Sequence, residues 1–214
     1  MARNIINMPR TTVASLGIPS TKNFIPNPSF EYDANGSTTL TGWTINSANA
    51  AQNVSTDFSH VGSKSMKIIP AGGVKNYFYT DCEYGRGQVY ALSFWTKCTA
   101  YSAGVPFVAL RTTGFASITN KSGFGDTSFN FPTSVYDWTK STIYLCVDSL
   151  ATAKVRIIVD YNTGTPDCTY YVDEFQWEKK AVATTYCDGS LGDGYSWIGT
   201  AHNSASLRTS RNTA

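Results

Sequence analysis

Charge is scarce in this chain. Charged residues make up 15% of its 214 positions, and they nearly cancel to a formal net charge of +2. That balance gives bulk electrostatics no hold on nucleic acid or on an anionic membrane. Long apolar runs are missing as well, and none approaches the roughly 20 residues a membrane span needs. There are 2 histidines, His60 and His202, too few for a His-rich metal site. The 5 cysteines (Cys82, Cys98, Cys146, Cys168 and Cys187) contain no CxxC pair. Their odd number and wide spacing favour buried free thiols over a disulfide framework. Asp188, His202 and Ser204 supply the letters of a hydrolase triad, but no GxSxG elbow accompanies them. The acids are scattered over turns and strand ends, and no pair marks a glycosidase cleft. The first residues hold no continuous apolar stretch of the signal-peptide kind, so the expectation is synthesis and retention in a cytosol. The chain reads as a non-enzyme that requires no cofactor.

What is present points one way. Aromatics reach 14% and hydrophobic residues 42%, set among many Thr, Ser, Asn and Gly, which is the composition of an all-β protein with long polar loops. About ten short β-branched or aromatic runs follow one another, punctuated by Gly, Asn, Asp and Pro. NFIPNPSFEY reads as an edge strand because Pro26 and Pro28 cannot donate to a ladder. In VYALSFWTK the period of two puts Tyr90, Leu92 and Phe94 on one face, and in KVRIIVDY it does the same for Val155, Ile157 and Val159. No helical stripe and no internal repeat occur. This spacing predicts a two-sheet β-sandwich of the jelly-roll type. It sits between an extended arm over 1–22, broken by Pro9, Gly17 and Pro19, and a C-terminal segment over 180–214 that leaves the strand pattern.

Three stretches of the 23–179 region carry a resemblance. They are Asn27-Pro28-Ser29-Phe30-Glu31, then Thr41-Gly42-Trp43-Thr44 followed by Gly62-Ser63-Lys64-Ser65, and last Tyr171-Val172-Asp173-Glu174-Phe175-Gln176-Trp177-Glu178. Together they resemble the jelly-roll carbohydrate-binding modules. The resemblance implies a structural calcium held with help from Glu31 and Asp173, carboxylates of the kind calcium prefers. The plainer reading makes both ordinary strand-end acids. A fourth stretch lies beyond the sandwich: Tyr186-Cys187-Asp188-Gly189, then Tyr195-Ser196-Trp197-Ile198-Gly199-Thr200-Ala201-His202-Asn203-Ser204. It resembles a segment of bacteriophage tail proteins. The two motifs in this order imply a virion structural protein, a minor tail or baseplate component, made in the host cytoplasm and carried on the particle.

Two functions from different classes follow. In the first, the arm and the tail dock the sandwich onto other virion proteins, and the protein forms homo-oligomers, since particle parts are repeated. Tyr195, Trp197 and Ile198 would supply an apolar anchor there, with Arg208 and Arg211 as its polar rim. A capsid decoration protein is a variant of this reading. In the second, the sandwich binds a host cell-surface glycan. Tyr77 and Tyr79, in the run KNYFYT, are the best stacking residues, because both faces of that strand carry an aromatic. Against this stands the plainer expectation that these tyrosines cap the sandwich edge.

Overall fold

The computed structural model describes residues 20–46, 52–70, 76–148, 150, 152–161 and 167–209. Thirteen strands follow in chain order: β1 (Thr21–Asn23), β2 (Thr44–Asn46), β3 (Gln52–Ser55), β4 (Ser65–Ile68), β5 (Tyr77–Glu83), β6 (Tyr90–Ala100), β7 (Phe107–Arg111), β8 (Ser128–Asn130), β9 (Tyr136–Leu145), β10 (Lys154–Asp160), β11 (Thr169–Glu178), β12 (Tyr195–Trp197) and β13 (Ser206–Arg208). Among the described residues no helix forms. Two five-stranded sheets pack face to face, the first in the order β2-β5-β10-β7-β8 and the second β3-β4-β11-β6-β9, and every pairing is antiparallel. The architecture is the all-β jelly-roll sandwich that the alternation predicts.

Period-two alternation builds the core. Tyr90, Leu92 and Phe94 of β6 and Val155, Ile157 and Val159 of β10 are all buried. Between the sheets the rings of Phe30, Trp43, Phe78, Phe94 and Phe175 interlock, with Phe175 5.2 Å from Trp43 and 5.4 Å from Phe94 between centroids. Each such ring removes a large apolar area from water, and these sites dominate the stability of the sandwich. All five cysteines are buried thiols.

One stretch departs from the expected pattern. NFIPNPSFEY does not run on as an edge strand, for β1 stops at Asn23 and the chain turns through Tyr32. Pro26 and Pro28 lack the N–H a ladder needs. Asn27 and Phe30 adopt φ of 44° and 60°, a left-handed backbone incompatible with a strand. The Asn27 side chain fixes that turn by accepting from the Tyr32 N–H and donating to Asp33. Gly42 meets the same turn. A Cβ there would lie 2.5 Å from the Pro26 ring, and its φ is 78°, so glycine lets Trp43 enter the core at that point.

A small third sheet, ordered β1-β13-β12, joins the two ends of the described chain. Thr21 and Lys22, assigned from sequence to the arm, therefore belong to this sheet, where Thr21 pairs with Arg208 and Lys22 with Leu207. The rest of the arm, residues 1–19, lies outside the described residues, as does Arg211. The C-terminal segment folds back onto its own sandwich. Cys187 N–H donates to Gln176 Oε1 at 2.6 Å, and Thr184 N–H donates to Glu178 Oε1 at 2.6 Å.

Candidate functional site

The first sheet turns one face to the core and the other outward. Register places the outward residues in rows across the strands. One row runs Asn46, Tyr77, Asp160, Phe107 and Asn130, and the next runs Thr44, Tyr79, Ile158, Ala109 and Ser128. A third pairs Asp81, Arg156 and Arg111. Tyr77 and Tyr79 stand 6.2 Å apart between ring centroids. Phe115, from the turn after β7, folds over them at 5.4 Å from Tyr77 and 5.6 Å from Tyr79. Its ring is 41% exposed, which is high for an aromatic so well contacted.

Arg156 locks this trio. Its guanidinium lies 3.8 Å from the Tyr79 centroid and 4.2 Å from that of Phe115. Nε and one terminal nitrogen donate to the two Asp81 oxygens at 2.7 and 2.8 Å. That fork also holds the guanidinium above its ordinary proton affinity. Arg156 is itself almost wholly buried, so the cation serves as a spacer between two rings. The Tyr77 hydroxyl accepts from Asn46 Nδ2 at 2.6 Å. The result is a fixed aromatic platform with amides and charged groups along its border. Such a surface can stack a flat apolar ring face and hydrogen-bond the hydroxyls around it. Of this group sequence reasoning singled out Tyr77 and Tyr79 and missed Arg156 and Asp81. The period of two in TDCEY and KVRIIVD, set side by side, is the signal that pairs them.

Glu31 and Asp173 do not converge on a shared ion. Glu31 accepts from the Ser63 N–H, the Ser63 hydroxyl and the Lys64 N–H at 2.7–2.8 Å. Asp173 accepts from the N–H groups of His60, Val61 and Glu174. Both carboxylates thus clasp one turn, residues 60–64. The Lys64 ammonium sits on the Glu31 and Asp33 carbonyls at 2.9 and 2.7 Å, the kind of oxygens calcium would use. Among the described residues no group of three or more metal-binding side chains forms. The donor set present suits a loop anchor stabilised by its own lysine and does not fit a calcium shell. Burial pushes the Asp173 carboxyl well above its usual range, against the pull of its three N–H donors.

The residues expected at a docking interface are distributed differently. Tyr195 and Trp197 lie in β12, and the Trp197 ring rests on Gly189, where a Cβ would meet it at 2.5 Å. Arg208 is 6% exposed and so sits inside the third sheet, where pairing with both β1 and β12 encloses it. Ile198 is 54% exposed. The triad letters do not assemble. Ser204 Oγ donates to the Thr200 carbonyl, His202 Nε2 faces Ser190, and Asp188 accepts from Ser29, Tyr186 and Ser190.

No protein-family model matches the chain, and no curated protein does at a significant level. Solved structures of similar fold are found. A family 16 carbohydrate-binding module superposes with a TM-score of 0.53 at 16% identity, covering 72% of this chain and 99% of the module. A family 61 module, solved in complex with β-1,4-galactotriose, gives 0.51 at 18% identity over 74% of this chain and 99% of its own. The enzymatically active domain of bacteriophage CBA120 tailspike protein 4 gives 0.52 at 14% identity, covering 72% of this chain and 21% of that one. What the chain shares with the two modules is the jelly-roll sandwich, and the match to the tailspike domain is likewise one of fold.

Proposed function

We propose that the protein is a glycan-binding module and that the outer face of the first sheet is its binding surface. The observation that carries this reading is the aromatic platform of Tyr77, Tyr79 and Phe115 on the outward face of the first sheet, with Arg156 packed against Tyr79 and Phe115. Rigid rings lower the ordering cost of binding. Asn46, Asp81 and Arg111 border them with hydrogen-bonding groups. The similar fold of a module solved with a galactose oligomer supports the same reading. The role is binding, with no chemistry on the sugar. Affinity electrophoresis in soluble polysaccharides, followed by calorimetry on the best ligand, tests it. Tyr77→Ala and Phe115→Ala should each weaken binding about tenfold with the fold intact. Equal retention of wild type and both variants across a broad glycan panel would sink this surface.

A second reading concerns where the module acts. The segment from Tyr186 to Ser206, which resembles that of phage tail proteins, supports a place in a virion as a minor tail, baseplate or capsid decoration component. There it would stand among other virion proteins, in repeated copies, and present the platform to a host cell-surface glycan. In this structure the segment forms the β12–β13 hairpin and carries Ile198 outward. Mass spectrometry of purified particles is the test. A stoichiometric presence in the particle is expected, and absence from particles that still assemble and adsorb would rule the virion role out.

A further inference from the structure

A cleft of about 570 Å³ opens on the opposite side of the sandwich, where the C-terminal segment crosses the outer face of the second sheet. That is within the roughly 300–1,000 Å³ typical of small-ligand sites. His60, Trp95, Lys140 and Glu174 line it from the sandwich, and Thr184 and Tyr195 from the crossing segment. Register puts Lys140 directly opposite Trp95 on neighbouring strands. The His60 ring stacks on Trp95 at 3.7 Å with an interplanar angle of 18°, and Trp138 closes its edge at 5.7 Å.

Two features mark this as a built site. Glu174 is 5% exposed, yet its carboxylate meets His60 Nδ1 at 2.5 Å. It reaches that position because β11 bulges between Asp173 and Gln176, with Glu174 at φ 52°. A non-glycine residue held there costs on the order of 1 kcal/mol or more, and the bulge re-aims its side chain. With the carboxylate as acceptor, Nδ1 carries the proton. His60 Nε2, which has no hydrogen bond among the described residues, is left to hydrogen-bond a ligand hydroxyl, a group that both donates and accepts. The second feature is Lys140. It donates to the Thr184 carbonyl at 3.3 Å, and no acid pairs with it among the described residues. The cleft therefore offers an unpaired cation, a fixed imidazole nitrogen for a hydroxyl and aromatic walls.

We infer that this cleft is a second binding site, for a small hydroxylated carboxylate of the sugar-acid type. Lys140 takes the carboxylate, His60 Nε2 takes a ring hydroxyl, and Trp95 and Tyr195 flank the apolar edge of the ring. The site lies on the other sheet from the aromatic platform and does not depend on it.

The test is an NMR titration of the full chain with glucuronate and, in parallel, with glucose, read at the indole N–H of Trp95. Glucuronate should give a saturable shift, with glucose at least about fivefold weaker, and Lys140→Gln should weaken glucuronate about tenfold. His60→Gln should weaken both sugars. Tyr77→Ala should leave the response unchanged, which separates this site from the platform. Lys140 lies at the surface, so its variant keeps the fold, and an unaltered amide spectrum checks that directly. Silence at Trp95, equal response to the two sugars, or full affinity in Lys140→Gln each overturns the inference.

Discussion

On β5 of the first sheet, Tyr77, Tyr79 and Asp81 point outward and meet solvent. On β11 of the second, Gln176 and Glu178 also point outward, yet both are buried beneath residues 184–187. The two faces solve opposite problems. An open face must keep its rings apart and ordered without cover, and a buried cation between them does so. A covered face must satisfy every polar group it buries. Gln176 donates to Glu178 at 2.8 Å, and Glu178 accepts from Thr21 at 2.6 Å and from Thr184 at 2.6 and 2.8 Å. The covering segment is thus held by a polar seam, and the sandwich below is built to receive it. Solvent contact is then a property of the outward residues of β5, since the same fold buries the outward Gln176 and Glu178 of β11.

The comparison can be broken most severely at Asn23, which is fully buried. Its Nδ2 donates to the carbonyls of Phe175 and Cys187, and its Oδ1 accepts from the N–H groups of Ile25 and Trp177. Asn23→Ala leaves four backbone groups short of partners and should cost about 3 kcal/mol or more in urea unfolding. A loss below about 1 kcal/mol would mean that the covering segment is not integral to the fold. Next comes Asp173→Asn, which turns an amide donor toward N–H donors and should cost about 1–3 kcal/mol. Its pH dependence has a definite sign. Because burial raises the Asp173 carboxyl, the folded protein keeps that proton where the unfolded chain has released it. Stability from this group is full below the ordinary carboxylate range and falls as pH rises through the folded value. The wild type's advantage over Asp173→Asn should narrow along that rise, and a widening gap would reverse the assignment. On the open face, Arg156→Met should cost about 1–2 kcal/mol while abolishing glycan retention. Retention without the guanidinium would show that the rings need no spacer. The smallest effect belongs to Ile198→Ala, within about 0.5 kcal/mol in the isolated protein, so any loss of particle incorporation by that variant would report on docking alone.

Much of the sandwich was legible because burial on one face writes itself as a period of two. Trp43, Phe175 and Trp177 of the quoted motifs are buried in that core. The bulge at Glu174 went unread, although it follows once Val172 and Phe175, three residues apart, are both seen to face inward. The Pro26–Phe30 turn is hidden because two prolines suit an edge strand as well as a turn, and the left-handed backbone of Asn27 and Phe30 shows only in the fold. The candidate site was legible in part. Tyr77 and Tyr79 stood out as aromatics on an alternating strand. Arg156 and Asp81 join them through cross-strand register and Phe115 through the turn after β7, and which strands lie side by side is not written in either strand alone. The cover over Gln176 and Glu178 was invisible for a related reason. It rests in part on backbone N–H groups of Thr184 and Cys187, and every residue type but proline carries one.

The pairing of β1 with β13 has a further meaning. Thr21 and Arg208 are direct neighbours in that ladder, so the described fold is entered and left within about 5 Å, the spacing of adjacent strands. A fold with its entry and exit side by side behaves as a cassette. It can be spliced into a surface loop of a larger chain, or its ends joined and reopened elsewhere, without pulling the two sheets apart.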